Sequence, residues 1–244
     1  MAALQRIPSK HTANSMIHDQ TKGTDDVSGA ARAAEGGPVE PADDADDLEA
    51  QAEPGPDVPE ALESAPRVVD EFAAACVRFV AARYGTMLDF SPDTLSLLDQ
   101  WVRDARAELA VRPEAVEVVQ SAAGAYLGEV IRRQFGAEWS ADGEVSGWRI
   151  YLSTVYCAFN PIGMVREALL LETVEGWHAH LELDPGEKDA VEARLEALPQ
   201  TTEEEYYMPT TRFDVLWIVV DALRAGLRSR GLDDVRFGPE DYRR

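Results

Sequence analysis

Cysteine is scarce in this chain. Two cysteines in 244 residues, Cys76 and Cys157, are too few for a disulfide framework. Both lie in apolar runs, where a free cysteine packs as a small hydrophobic side chain, and this favours a reducing, cytoplasmic location. No run of about 18 apolar residues is present, so the sequence predicts no membrane-spanning helix. The first 30 residues lack the apolar stretch of a secretory signal, and they leave open whether Met1 or Met16 is the start.

Positive charge is also scarce, because 23 Lys and Arg stand against 45 Asp and Glu, a net charge of −22. Residues 1–65 hold 4 basic and 14 acidic side chains, a net of −10, and residues 66–244 hold 19 and 31, a net of −12. Both parts repel phosphate backbones and anionic lipid, so neither nucleic acid nor a membrane is expected as a partner. The charge favours a basic protein partner, although such acidity often serves solubility alone.

Residues 1–65 contain no aromatic side chain and consist mainly of Ala, Gly, Pro, Asp and Glu. Residues 38–59 combine an acidic run with five prolines. Such a segment cannot bury enough apolar surface to offset the entropy of ordering. The sequence therefore predicts a disordered acidic tail over residues 1–65 and a single globular domain over residues 66–244.

Apolar residues at steps of three and four predict helices through most of residues 66–244. Helix starts are expected near Pro66, Pro92, Pro113, Pro161 and Pro185, and a last helix is expected over Phe213–Leu227. Trp148, Ile150 and Leu152 alternate with polar residues, and residues 137–160 predict a small antiparallel meander. The predicted fold class is α+β: a mostly helical domain with a small antiparallel sheet.

The common motifs of catalysis and cofactor binding are missing from the sequence. No G-x-G-x-x-G, G-x-x-x-x-G-K-[ST], H-E-x-x-H, C-x-x-C or G-x-S-x-G pattern occurs. Their absence removes the commonest enzyme classes without excluding an enzyme. No cofactor is predicted.

His178 and His180, with Glu182 beyond them, are the candidates for a metal site. Trp177–Leu183 alternates as a short strand would, although the preceding helix could also run on through it. On a strand the three side chains share one face, and two imidazoles with a carboxylate suit zinc or iron(II). An edge strand with a buried apolar face and a solvated polar face gives the same alternation. We adopt this second interpretation, and no metal site is predicted.

One helix segment supplies the candidate ligand-binding residues, which are Tyr126, Glu129, Arg133 and Trp139. The first three lie at steps of three and four, on one side of the predicted helix. Two glycines inside the same helix each cost about 1 kcal/mol relative to alanine, so another helix, a strand or a ligand must approach closely. Glu129 could be a buried general base. The simpler interpretation is that Glu129 pairs with Arg132 or Arg133.

The run GAYLGEVIRRQFGAEW, from Gly124 to Trp139, resembles a motif of uncharacterised bacterial domains of unknown function. In those domains a G-A-Y-x-G-E helix precedes a tryptophan after a glycine turn, then strands and a proline-led helix, here Asn160–Arg166. The resemblance covers roughly residues 90–170 and departs at Ala137-Glu138, where a second glycine is usual. It implies a fold and carries no established activity.

Glu203–Pro209 combines three acids, two tyrosines and a methionine, a composition that suits a protein-binding surface. The alternative is a solvated loop with both tyrosines folded inward. Together these features favour a non-enzymatic protein-interaction or regulatory module in a bacterial cytoplasm. The alternatives are a small-molecule-binding protein or enzyme with a pocket near Glu129, and a structural component of an assembly. The oligomeric state stays open.

Overall fold

The computed structural model describes residues 64–109 and 111–242, and the predicted disordered tail over residues 1–65 lies almost entirely outside them. Over the described ranges the chain forms seven α-helices: α1 (Arg67–Tyr84), α2 (Leu95–Leu109), α3 (Val116–Phe135), α4 (Pro161–Leu170), α5 (Lys188–Glu196), α6 (Glu203–Tyr207) and α7 (Pro209–Ser229). Four strands, β1 (Ala137–Ser140), β2 (Arg149–Leu152), β3 (Cys157–Phe159) and β4 (Glu182–Leu183), form one antiparallel sheet in chain order. The predicted fold class is confirmed.

Proline marks the start of most helices, as predicted. Short 3-10 turns at Pro92–Thr94, Pro113–Ala115 and Pro185–Glu187 lead into α2, α3 and α5. Pro161 opens α4 directly, and the Asn160 side chain caps it by accepting hydrogen bonds from the amides of Ile162 and Gly163. The last helix starts at Pro209, four residues earlier than its apolar stripe predicted.

Helix α3 is buried along most of its length and packs against α1 and α4. At Gly124 an added Cβ would lie 2.3 Å from the Cα of Ile162 in α4. At Gly128 it would lie 2.1 Å from Cζ2 of Trp139 in β1. The expected close approach to this helix is therefore made by both a helix and a strand of the protein itself.

The strand predicted over Trp177–Leu183 is wrong for all but its last two residues, because only Glu182–Leu183 joins the sheet. His178 has a φ of 51°, which turns the backbone out of the extended conformation. Its carbonyl instead accepts a 2.8 Å hydrogen bond from the amide of Asn160, so the start of α4 fixes this turn.

The chain returns to the sheet after α7. Phe237 donates its amide to the carbonyl of Ser153 at 2.9 Å, and the Tyr242 hydroxyl accepts a 2.7 Å hydrogen bond from the amide of Cys157. The Tyr242 ring stacks on Tyr156 with centroids 4.1 Å apart. Burial raises the pKa of the Tyr242 hydroxyl, so it stays a neutral hydrogen-bonding group.

No helix within the described ranges has both the length and the apolar composition needed to cross a bilayer.

Candidate functional site

The Glu129 carboxylate lies on the buried face of α3, and only 1% of the residue is exposed. Arg132, one turn further along, donates from Nε to Oε1 at 2.8 Å and from Nη2 to Oε2 at 2.9 Å. Trp139 donates from Nε1 to Oε1 at 3.0 Å, and Arg133 places its Nε 3.7 Å from Oε2. The hydrogen bond to Glu129 raises the pKa of Arg132, so the guanidinium keeps its positive charge.

Tyr126 is also fully buried, but it contacts a different partner. Its hydroxyl accepts a 2.9 Å hydrogen bond from the amide of Phe90 and shares a 2.7 Å hydrogen bond with Oγ1 of Thr94. The Phe90 ring stacks on the Tyr126 ring, and the Arg133 guanidinium lies 4.0 Å from the centroid of Phe90. Phe90 itself has a φ of 64°, a conformation that non-glycine residues seldom adopt.

The four predicted ligand-binding residues therefore lie together, in two linked groups. Glu129 and Trp139 bond directly, and Tyr126 and Arg133 meet through Phe90. The face that the glycines leave open is filled by protein: Trp139 and Pro161 beside Gly128, and Ile162 beside Gly124. Chemically, the arrangement holds a carboxylate as a fixed anion between α3 and β1.

A second buried carboxylate, Glu167 on α4, was missed by the sequence interpretation. It is 0% exposed and accepts hydrogen bonds from Nη2 of Arg212 on α7 at 2.7 Å and from the amide of Val174 at 3.2 Å. The Arg212 guanidinium also lies 4.3 Å from the ring centroid of Tyr206. The sequence signal for a buried Glu167 was its position among the apolar residues of α4. Its partner Arg212 could not be predicted, because it lies 45 residues away in sequence.

The two candidate metal-binding histidines point to different surroundings. His180 places Nε2 3.4 Å from Oε1 of Glu167, whereas His178 is exposed at the turn. Burial, with Arg149 nearby, lowers the pKa of His178. Among residues 64–109 and 111–242, no three His, Cys, Asp or Glu side chains are arranged to hold a metal ion.

The acidic-aromatic segment 203–209 forms α6 and the start of α7. Thr202 and Glu205 form a reciprocal capping box at its start. Tyr207 and Met208 are each 1% exposed, and Glu204 pairs with Arg106 at 2.8 Å. The tyrosine and the methionine are therefore core contacts, and the acids face outward.

A further surface feature lies between α5 and α7, which pack side by side. It is a shallow groove of about 290 Å³, lined by Arg194, Ala197, Leu198, Trp217, Ile218 and Asp221. Trp217 is 50% exposed and rests edge-on against Phe135, with centroids 5.5 Å apart. Trp217 was not among the predicted site residues. It lies beside the apolar stripe of Phe213, Leu216 and Val220, and this offset is the sequence signal by which its exposure could have been predicted.

Fold and site together define an α+β domain in which two buried glutamates, Glu129 and Glu167, are paired with arginines of the same chain. Residues 45–148 are similar to a family described as a family of unknown function (DUF6278). This match covers less than half of the chain and includes the Glu129 cluster. It confirms the resemblance to a domain of unknown function, although it extends further towards the N terminus and ends at Trp148. Neither a curated protein nor a solved structure matches the chain.

Proposed function

We propose that this chain is a non-enzymatic protein-interaction module that binds a basic protein partner. One observation carries the proposal: the buried carboxylates Glu129 and Glu167 are paired internally, while residues 66–244 keep a net charge of −12. The charged groups available to another molecule are therefore predominantly acidic.

The pairing argues against catalysis at Glu129. A general base needs a free lone pair within hydrogen-bond reach of the proton it takes. Three of the roughly four acceptor positions of the Glu129 carboxylate are occupied, because both oxygens accept from Arg132 and Oε1 also accepts from Trp139. Breaking such a buried pair leaves an uncompensated charge, so it suits a structural role better than a reactive one.

The acidic surface supports a binding role through long-range attraction. A surplus of carboxylates steers a basic partner into encounter and suppresses acidic competitors, with a strong dependence on ionic strength. The two buried, unpaired thiols, Cys76 and Cys157, support a reducing location such as the cytoplasm.

The test is capture of a partner by the immobilised full-length chain from a lysate of its source organism, at about 50 mM and about 500 mM salt. We expect one basic, stoichiometric partner that is retained at low salt and lost at high salt. A peptide of residues 38–59 is the matched control, since it carries the acidic run without the globular part.

Absence of any partner at either salt concentration would contradict the proposal. Equal capture by the control peptide would reduce it to non-specific charge attraction. Turnover of a small molecule that Glu129→Gln abolishes, at an unchanged thermal midpoint, would instead support the pocket alternative.

A further inference from the structure

Trp217 differs from the tryptophans that build the core. Trp101, Trp139 and Trp148 are at most 7% exposed, whereas Trp217 is 50% exposed. Tryptophan is among the side chains that most often dominate binding energy at protein interfaces. A half-exposed tryptophan on a regular helix is therefore a ready anchor for a partner.

The tryptophan is held in place before any partner arrives. Its ring packs against Phe135 at 5.5 Å and lies 6.4 Å from Phe213, one turn earlier on α7. Leu198, 36% exposed, and Ile218 complete the apolar part of the groove. Because these contacts fix the ring, a partner loses little conformational entropy by packing on it.

Two antiparallel helices form the walls of the groove. Arg194 of α5 pairs with Asp221 of α7 at 2.9 Å, and Glu187 at the start of α5 pairs with Arg230 beyond the end of α7 at 2.6 Å. The end of α5 therefore lies beside the middle of α7. Such a groove is open along its length and accepts an extended or helical segment.

Two exposed carboxylates, Asp214 and Glu196, lie close in sequence to the residues that line the groove. Asp214 precedes Trp217 by three residues and Asp221 follows it by four, so all three share one side of α7. Glu196 adjoins Ala197 at the end of α5. Asp221 is neutralised by Arg194, but within residues 64–109 and 111–242 neither Asp214 nor Glu196 forms an ion pair.

Resting on the proposed function, we infer that the groove between α5 and α7 is where a basic amphipathic segment of the partner docks. An apolar side chain of that segment packs on Trp217 between Leu198 and Ile218. Lysine or arginine side chains beside it pair with Asp214 and Glu196. The charge of the patch selects this occupant over an acidic or purely apolar one.

The probe is a synthetic peptide of about 15 residues with leucine at helical spacing and lysine elsewhere. Its affinity for the full-length chain is measured by titration, and acrylamide quenching of tryptophan fluorescence reports on the exposed ring. We expect binding that shields Trp217 from acrylamide. The same peptide with glutamate in place of lysine should not bind.

Substitutions in and away from the groove test whether the peptide binds there. Trp217→Ala should weaken the peptide about tenfold or more, the size expected for an interface anchor. Asp214→Asn with Glu196→Gln, which changes only exposed groups, should weaken it about threefold and flatten its salt dependence. Phe79→Ala is the matched control, because Phe79 on α1 is 43% exposed and lies on another helix; its affinity should equal that of the wild type.

Equal affinities of Trp217→Ala and wild type, or an equal loss in Phe79→Ala, would overturn the docking site. Failure of the site and failure of the function are separable in the lysate experiment. A partner captured equally by wild type and Trp217→Ala leaves the function standing and removes the site. No partner captured by the wild type removes the function itself.

Discussion

The Glu167 carboxylate on α4 accepts a 2.7 Å hydrogen bond from Nη2 of Arg212 on α7, and the two residues are 0% and 7% exposed. The same carboxylate accepts the amide of Val174 from the turn after α4. One buried anion therefore joins α4 and the turn that follows it to α7, a helix distant in sequence.

Glu167→Gln should lower the free energy of unfolding by about 3–5 kcal/mol, because Arg212 keeps its charge in a buried position without an anion. Urea denaturation measures the change. The control is Glu71→Gln, whose exposed pair with Arg67 on α1 should contribute less than about 1 kcal/mol. A loss at Glu167 as small as that of the control would show that the Arg212 charge reaches solvent.

Glu129→Gln should also destabilise the protein, by about 3 kcal/mol or more, because Arg132 then loses the carboxylate that accepts two of its hydrogen bonds. The thermal midpoint should fall accordingly. A midpoint within about 1 °C of the wild type would contradict this structural role and favour a reactive carboxylate.

Gly128→Ala should destabilise the protein although alanine favours helix by about 1 kcal/mol. The new methyl group would overlap the Trp139 ring, and overpacking of this kind costs about 1–3 kcal/mol or more. Gly226→Ala in α7 is the matched control. Its methyl group would meet only the ends of two flexible side chains, Oε2 of Glu187 at 3.1 Å and Nη2 of Arg230 at 3.9 Å, so stability should stay within about 1 kcal/mol of the wild type. Denaturation of both variants in urea compares the two positions.

Titration of the Asp99 carboxyl should lower the free energy of unfolding as the pH rises. Burial raises the pKa of this carboxyl, although the amide of Thr210 donates to it at 3.0 Å. A carboxyl with a higher pKa in the folded state binds its proton more tightly there, so its contribution is fully present below the unfolded pKa and is lost as pH rises through the folded pKa.

Asp99→Asn removes this titration but keeps an oxygen that can accept from Thr210. The free energy of unfolding of Asp99→Asn minus that of the wild type should therefore grow as the pH rises above the usual aspartate pKa of about 3.9. Asp99→Ala, which loses the acceptor for the Thr210 amide in the first turn of α7, should be less stable than Asp99→Asn by about 1 kcal/mol at every pH. A difference between Asn and wild type that does not vary with pH would contradict the raised pKa.

The thiols of Cys76 and Cys157 should be unreactive in the folded protein. Both are fully buried, and burial raises the pKa of each thiol, so the reactive thiolate is rare and inaccessible. A colorimetric thiol reagent should detect neither cysteine in buffer and both in denaturant. Rapid modification of either thiol in buffer would show that its part of the core opens readily.

Features set by local chemistry were predictable from the sequence. Proline at Pro92, Pro113 and Pro161 marks where helices begin, because the missing amide is harmless there. The glycines of α3 predicted a close approach, and Trp139 and Ile162 provide it. The pairing of Glu129 with Arg132 was predictable because both lie on one helix, one turn apart.

Features set by long-range contacts were not predictable. The strand expected over Trp177–Leu183 fails because the carbonyl of His178 bonds to Asn160, a tertiary contact that alternation cannot reveal. The partner of Glu167 lies on another helix, and no spacing rule connects them. The exposure of Trp217 depends on how α5 packs beside α7, which the stripe of α7 alone does not fix.

The hydrogen bond from the amide of Cys157 to the hydroxyl of Tyr242 can form only late in synthesis, because its two residues are far apart in the sequence. The last strand of the sheet ends at Leu183, but Tyr242, which accepts the hydrogen bond from the Cys157 amide, is synthesised about 60 residues later. Translation proceeds at roughly 5–20 residues per second, so several seconds pass between the synthesis of the last strand and that of Tyr242. During that interval the Cys157 amide lacks its tyrosine acceptor. The sheet is therefore closed by a residue made after every helix from α1 to α7, and a nascent chain stalled before Tyr242 would carry all of its strands without this final bond.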